Sequence, residues 1–193
     1  MIDAPSAVLR KAKMSDAAAI QRLITIFALR DEMLHRSLDE VYENIRNFFV
    51  VEVEEPVPAV DAGVSGRELT VLTGTAAMRL SDVPASSAGA NIAACGALQI
   101  GWGNLAEIKS LAVAESHQGR GFGRQIVLAC LEEGRTLGLG RVFALTYKPG
   151  FFEKLGFQVV DKATLPHKVW TECIRCPKFP DCGEIAVVVD LAG

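Results

Sequence analysis

Gln118-Gly119-Arg120-Gly121-Phe122-Gly123-Arg124 is the stretch on which the reading of this sequence turns. Residues 105–113, Leu-Ala-Glu-Ile-Lys-Ser-Leu-Ala-Val, read as a strand before it, and a helix is expected from about 122 to 137 after it. The first N–H groups of a helix have no partner inside the helix, and its dipole is positive at that end. Glycines let such a backbone close around a phosphate without a Cβ in the way. Arg120 and Arg124 add full positive charge. An ordinary strand-to-helix turn with surface arginines would use the same residues, and a bare Gly-x-Gly leaves that alternative open. The stretch is not the six-residue glycine fingerprint of dinucleotide folds, and it lacks the Gly-Lys-Ser/Thr of a P-loop.

Working outward, residues 7–13 read as a strand, with Ser15 as the N-cap of an amphipathic helix over 16–29. Ile20, Leu23, Ile24 and Phe27 give that helix its apolar face. Ser37-Leu38-Asp39-Glu40 matches a capping box ahead of a second helix whose apolar side is Leu38, Val41, Tyr42 and Ile45. Strands are expected at 48–54, 69–80, 93–102, 141–146, 157–160 and 184–190, with a short helix at 149–155. Residues 55–67 and 81–91 are rich in Pro, Gly, Ser and Ala and read as loops. Strand, helix, strand in that order implies an α/β or α+β domain with at least one crossover.

Two motifs then carry a resemblance. Gln118-x-x-Gly121-x-Gly123 after a strand ending Leu111-Ala112-Val113 resembles the acyl-CoA loop of the GNAT N-acetyltransferases. Downstream, Phe151-Phe152-Glu153-Lys154-Leu155-Gly156-Phe157 resembles the second signature of that family, a short helix running into a Gly-Phe turn. The resemblance covers 7–54 and 93–191. It implies one domain over 1–193 with the GNAT acyl-CoA N-acyltransferase fold, an α+β three-layer arrangement whose mixed, mostly antiparallel sheet is flanked by helices. It implies acetyl-CoA as co-substrate. The backbone of Leu111, Ala112 and Val113 would pair with the pantetheine arm, and the amides of Gln118, Gly119, Arg120, Gly121, Phe122, Gly123 and Arg124 would hold the pyrophosphate.

Within the family, the N-acetylglutamate synthases are the most similar. Met33-Leu34-His35-Arg36-Ser37 resembles their Arg-Ser segment, which contacts the amino-acid substrate. Leu145-Thr146-Tyr147-Lys148 resembles their Leu-Thr-x-Arg/Lys segment, and Ala106-Glu107-Ile108-Lys109 the strand carrying their catalytic Glu. Leu165-Pro166-His167-Lys168-Val169-Trp170 resembles the short, single-domain members. Two departures stand out. Residues about 55–92 exceed what the pattern needs and read as an insert. Phe152 occupies a position where many members carry a Tyr that protonates the leaving thiolate, so Tyr147 or solvent must do this instead.

The residues themselves carry a compatible chemistry. On a strand, 105, 107, 109, 111 and 113 share one face, so Glu107 and Lys109 point the same way. Glu107 is the candidate general base, through a water; a Glu107–Lys109 surface pair is the alternative, and it would be worth little. A backbone N–H of 111–113 is the candidate oxyanion donor. Arg36, Lys109 and Lys148 are the candidate cations for an acceptor with two carboxylates, Arg36 because its planar fork matches a carboxylate. Ser37 serves as cap and as candidate substrate contact. His35 and His117 are expected in exposed turns, and Trp102, Phe151 and Phe152 in the core or against CoA.

Composition bounds these readings. The chain has 193 residues, half of them hydrophobic and 22% charged, which excludes general disorder. Twenty Lys and Arg against 23 Asp and Glu give a charge of -3, which disfavours nucleic acid as a partner. No stretch reads as a membrane span or signal peptide, so the expected location is the cytoplasm. His167, Cys173, Cys176 and Cys182 are spaced His-x5-Cys-x2-Cys-x5-Cys. Either they hold a structural zinc that takes no part in transfer, or they form a loop of reduced thiols or a disulfide made after purification. The expected reaction is acetyl transfer from acetyl-CoA to the α-amino group of an amino acid, L-glutamate above others, at the first step of arginine biosynthesis. Another small amine, a protein N-terminus, or a non-catalytic acyl-CoA sensor are the alternatives. A homodimer stays open.

Overall fold

The computed structural model describes residues 7–55, 57, 71–73, 76–78, 91–101, 103–166 and 182–191. Its elements run β1 (Ala7–Lys11), α1 (Ala17–Ala28), α2 (Leu38–Glu43), β2 (Phe48–Val53), β3 (Val71–Thr73), β4 (Ala76–Met78), β5 (Ile92–Ile100) and β6 (Leu105–Val113). Then come α3 (Phe122–Thr136), β7 (Arg141–Thr146), α4 (Pro149–Glu153), β8 (Gln158–Val160) and β9 (Ile185–Asp190). Seven strands form one mixed sheet in the order β1-β2-β5-β6-β7-β9-β8, and β3 pairs with β4 in a separate two-stranded sheet. β1–β2, β7–β9 and β8–β9 are antiparallel. β6 and β7 are parallel, with Leu105 opposite Arg141 and Glu107 opposite Phe143. A parallel pair needs a crossover, and α3 is that crossover. This is the expected GNAT arrangement, an open α+β sheet flanked by helices.

The chain divides into two compact units, Met1–Gly96 with Ser110–Ile126, and Ala97–Lys109 with Val127–Gly193. In the first, α1 buries Ile20, Leu23, Ile24 and Phe27, the face its spacing predicts. A polar tie closes one side of this core. The Arg10 guanidinium donates to both carboxylate oxygens of Asp16, at 2.6 and 3.0 Å, and its Nε donates to Glu52 at 2.7 Å. Asp16 also accepts the Lys13 N–H at 2.7 Å. Gly96 on β5 is there for space: a Cβ would come within 2.7 Å of an Ile126 methyl and 3.1 Å of one on Leu111.

In the second unit, Leu105, Phe143, Leu165, Ala186 and Val188 form the core, with Leu145 and Val160 packed on it. Gly134 lies as close to Leu191, where a Cβ would meet a methyl at 2.7 Å. The Asn104 carbonyl accepts the N–H of Gly140 at 2.9 Å, fastening the turn that feeds β7 to the start of β6.

Two expectations need correction. Ser15 does not cap α1; it lies in a one-turn 3₁₀ helix over Met14–Asp16. Asp16 holds the cap position of α1 without a side-chain cap bond, its carboxylate being turned back to Arg10 and the Lys13 N–H. The single strand expected over 69–80 is two short antiparallel strands with Thr73 opposite Ala76.

Asp16 gives the fold a pH signature. Burial alone would raise its pKa, but the hydrogen bonds from Arg10 and Lys13 take it below the ordinary value of 3.8. A carboxyl with a depressed folded pKa contributes stability above its unfolded pKa and loses it as pH falls through the folded one. Asp16→Asn should therefore cost about 3 kcal/mol at neutral pH by leaving Arg10 without its main anion. The gap to the unsubstituted protein should close below about pH 4, which urea denaturation across pH will read.

Candidate functional site

The glycine loop belongs to the first unit, and its shape follows from two residues. Gly119 and Gly121 have φ of 77° and 83°, the left-handed region that other residues avoid. No atom lies within 4 Å of where a Cβ on either would sit, so the requirement is conformational. The two turns deliver the chain into α3. Gln125 N–H reaches the Gly121 carbonyl at 3.0 Å, so the amides of Phe122, Gly123 and Arg124 come before the helix's own ladder. These amides, the helix dipole and the Arg120 and Arg124 side chains suit a phosphate-type anion.

Several contacts hold this loop. The Gln118 side-chain amide donates to the Val113 carbonyl at 3.2 Å, tying the loop to the end of β6. His117 is 4% exposed and stacks on Phe122, with centroids 6.1 Å apart and planes 23° from parallel. Its Nδ1 lies 2.8 Å from the Ser116 hydroxyl. Burial and then the Arg120 charge push the His117 pKa below its ordinary value, which keeps the ring neutral at physiological pH. Glu115 pairs with Arg30 at the end of α1. The sequence reading placed His117 in an exposed turn; the aromatic stack on Phe122 is what buries it. No local signal marks that, because Phe122 is five residues on and across a turn.

β6 supplies the backbone of Leu111, Ala112 and Val113. Its odd residues 107, 109, 111 and 113 are half-buried while Ala106, Ile108 and Ala112 are buried, the expected alternation. Ser110 interrupts it with φ 53°, a left-handed residue of the kind that bulged strands use. The Ser110 carbonyl lies 3.6 Å from the Cys95 sulfur. Burial pushes the Cys95 thiol up to about 12, so it is a packed core group and no nucleophile.

In the segment before α2, the Ser37 hydroxyl accepts Glu40 N–H at 3.2 Å and the Glu40 carboxylate accepts Ser37 N–H at 2.7 Å. This is the capping box expected from sequence. The Arg36 guanidinium lies 3.6 Å from Glu40. His35 is half-buried and its Nε2 fully so, contrary to the exposed turn expected for it. The fold of the backbone between α1 and α2 turns that ring inward.

In the second unit, Glu107 and Lys109 lie 3.6 Å apart on β6, with side chains 22% and 13% exposed. The pair exists, and it is more buried than a surface pair. At the end of β7, Tyr147 and Lys148 are exposed, and Lys148 N–H donates to the Thr146 hydroxyl at 3.0 Å, opening α4. Phe152 is buried, edge-on to Phe151 and to Phe157 with both centroids 5.1 Å away. It is a core residue with no proton to give. His167, Cys173, Cys176, Trp102 and Trp170 lie outside the described residues. Cys182 is half-buried with its sulfur 3.5 Å from a Glu184 oxygen. Among the described residues no three His, Cys, Asp or Glu side chains gather as metal ligands would.

Known proteins share this sequence and fold. The model of the acetyltransferase (GNAT) family matches residues 71–157, beginning at β3, inside the segment read as an insert. An uncharacterized N-acetyltransferase of Chlorobaculum tepidum is 31% identical over 182 residues, covering 94% of this chain and 95% of that protein. An amino-acid acetyltransferase of Mycobacterium tuberculosis is 30% identical over 168 residues, covering 87% and 78%. A Mycobacterium tuberculosis protein solved in complex with CoA superposes with a TM-score of 0.66 at 27% identity, covering 96% of this chain and 99% of that one. The N-acetylglutamate synthase of Neisseria gonorrhoeae gives 0.71 at 21% identity, over 99% of this chain and 36% of that one, which is a likeness of fold.

Gly121→Val tests the loop. A β-branched residue cannot hold the left-handed φ, so the loop must move and the amides lose their direction. Calorimetry with acetyl-CoA should show affinity falling at least tenfold, about 1.4 kcal/mol or more. The rest of the fold should keep its circular dichroism spectrum.

Proposed function

The chain belongs to the GNAT acetyltransferase family and takes its acetyl group from acetyl-CoA; on that premise we propose that the acceptor is the α-amino group of an amino acid, L-glutamate above others. The product would be N-acetyl-L-glutamate, made in the cytoplasm at the opening of arginine biosynthesis. The observation that carries this reading is the 30% identity, over 87% of the chain, to a protein named as an amino-acid acetyltransferase. Three cations agree with it. The planar guanidinium of Arg36 matches a carboxylate in shape. Lys109 and Lys148 add two ammonium groups.

The reaction divides among the residues as follows. The glycine-loop amides and the arginines beside them take the pyrophosphate, and the backbone of Leu111, Ala112 and Val113 pairs with the pantetheine arm. Glu107, through a water, removes a proton from the acceptor ammonium. Lys109 lies 3.6 Å from that carboxylate. The amine nitrogen attacks the thioester carbonyl carbon, a C–N bond forms, and the oxygen becomes an anion. A β6 backbone N–H steadies this oxyanion. The nitrogen gives up its second proton to solvent, collapse breaks the C–S bond, and CoA leaves as a thiolate. Tyr147, exposed and with a phenolic proton, or solvent supplies the proton that Phe152 cannot.

A thiol-release assay with acetyl-CoA and a panel of free amino acids tests the acceptor. Glutamate should release CoA fastest, with aspartate and glutamine slower, because an amide leaves part of the cation set unmatched. Equal turnover of glutamate and neutral amino acids would refute the assignment. The base is tested separately. Glu107→Gln should lower kcat by about 10²- to 10⁴-fold at neutral pH and by less at high pH, where the amine loses its proton unaided. Unchanged kcat would take Glu107 out of the chemistry.

A further inference from the structure

His35 sits between α1 and α2 in a stretch without regular secondary structure. Its Nε2 is buried and meets no hydrogen-bond partner, the one such side-chain atom among the described residues. A buried polar atom left this way costs about 1–3 kcal/mol, and such atoms in native proteins call for a reason. The backbone after the ring is pinned on both sides. Gln21, itself only 2% exposed, holds its amide nitrogen 3.0 Å from the Thr25 hydroxyl and 3.5 Å from the Arg36 carbonyl. A polar pair on the buried face of α1 thus lies under the segment. Ser37 and Glu40 lock its other end through the capping box.

We propose that His35 is a specificity residue whose Nε2–H donates to a carboxylate oxygen of the amino-acid acceptor, alongside Arg36. This rests on the reading that the acceptor is an amino acid. Burial, against the Glu40 charge and helped by that of Arg36, leaves the His35 pKa below its ordinary value. The ring is therefore neutral at pH 7 and donates without adding a second buried cation. An oxygen is the natural partner for an N–H donor, and the neighbouring guanidinium selects an anionic one. The acceptor then removes the desolvation cost of Nε2 on binding. An amine with no carboxylate would leave that atom unmet, which is how a site rejects it.

The test is steady-state kinetics on His35→Leu and His35→Gln with L-glutamate, L-glutamine, which lacks the side-chain carboxylate, and isoglutamine, which lacks the α-carboxylate. His35→Leu should raise KM for glutamate about 10- to 100-fold, the worth of a hydrogen bond to a charged group, with kcat changed less than threefold. That penalty should persist for one amide and vanish for the other, the one missing the carboxylate that His35 meets. His35→Gln, which restores an N–H at similar reach, should recover most of the KM. Affinity for acetyl-CoA should not change in either variant. A His35→Leu protein with raised Tm and unchanged KM would overturn the proposal, since it would show a core position with a dispensable nitrogen. An equal penalty for all three acceptors would overturn it as well. If another carboxylated amino acid proves the substrate and its KM responds to His35→Leu, the glutamate assignment fails and this inference stands. If the wild-type protein accepts no carboxylated amine, both fail.

Discussion

The amides of Phe122, Gly123 and Arg124 precede the first hydrogen bond of α3 and have no carbonyl of their own helix to meet. A helix start of this kind must be capped by a side chain, by water or by a ligand. Here the chain brings no Ser, Thr, Asp or Asn to the cap position. It brings Gly-Arg-Gly, with the two glycines in the left-handed region and arginine between them. We propose that such a terminus leaves its donors to an external anion, and several contacts hold the turn in place. The stack of His117 on Phe122, the Gln118 bond to Val113 and the Arg30–Glu115 pair each fasten a different point of the same turn. With the loop held, its donors need no rearrangement when the anion arrives, which lowers the cost of binding.

Strand β6 carries the other residues proposed for the chemistry. It ends at the loop and carries Glu107, Lys109 and the backbone proposed to pair with the pantetheine. Two features hold its last residues in place within the first unit. Gly96 lets Ile126 and Leu111 approach where any side chain would collide. The buried Cys95 lies against the carbonyl of the left-handed Ser110. Small, apolar neighbours around an irregular strand residue keep the irregularity in one place.

Much of this was legible in the sequence, for physical reasons that can be named. β6 and β7 begin and end where expected, because turn residues bound them. The capping box at Ser37 and Glu40 is local chemistry, complete within four residues, and it forms as written. The Glu107–Lys109 pair follows from the two-residue period of a strand. What failed was burial of polar side chains. His35 and His117 look like turn residues, and only packing against distant or reversed segments puts their rings inside. The cap of α1 failed similarly: Ser15 falls inside a 3₁₀ turn, and the Asp16 carboxylate at the cap position is taken by Arg10 and the Lys13 N–H.

The central claim is that main-chain donors of the glycine loop, and not a side chain elsewhere, take the pyrophosphate of acetyl-CoA. Amide ¹⁵N–¹H spectra recorded with CoA and with pantetheine, which lacks the pyrophosphate, test it directly. The account predicts that CoA shifts the amide resonances of residues 119–124 strongly while pantetheine leaves them in place and perturbs only those of 111–113. Equal shifts with both ligands, or CoA shifts confined to amides outside this loop, would contradict it.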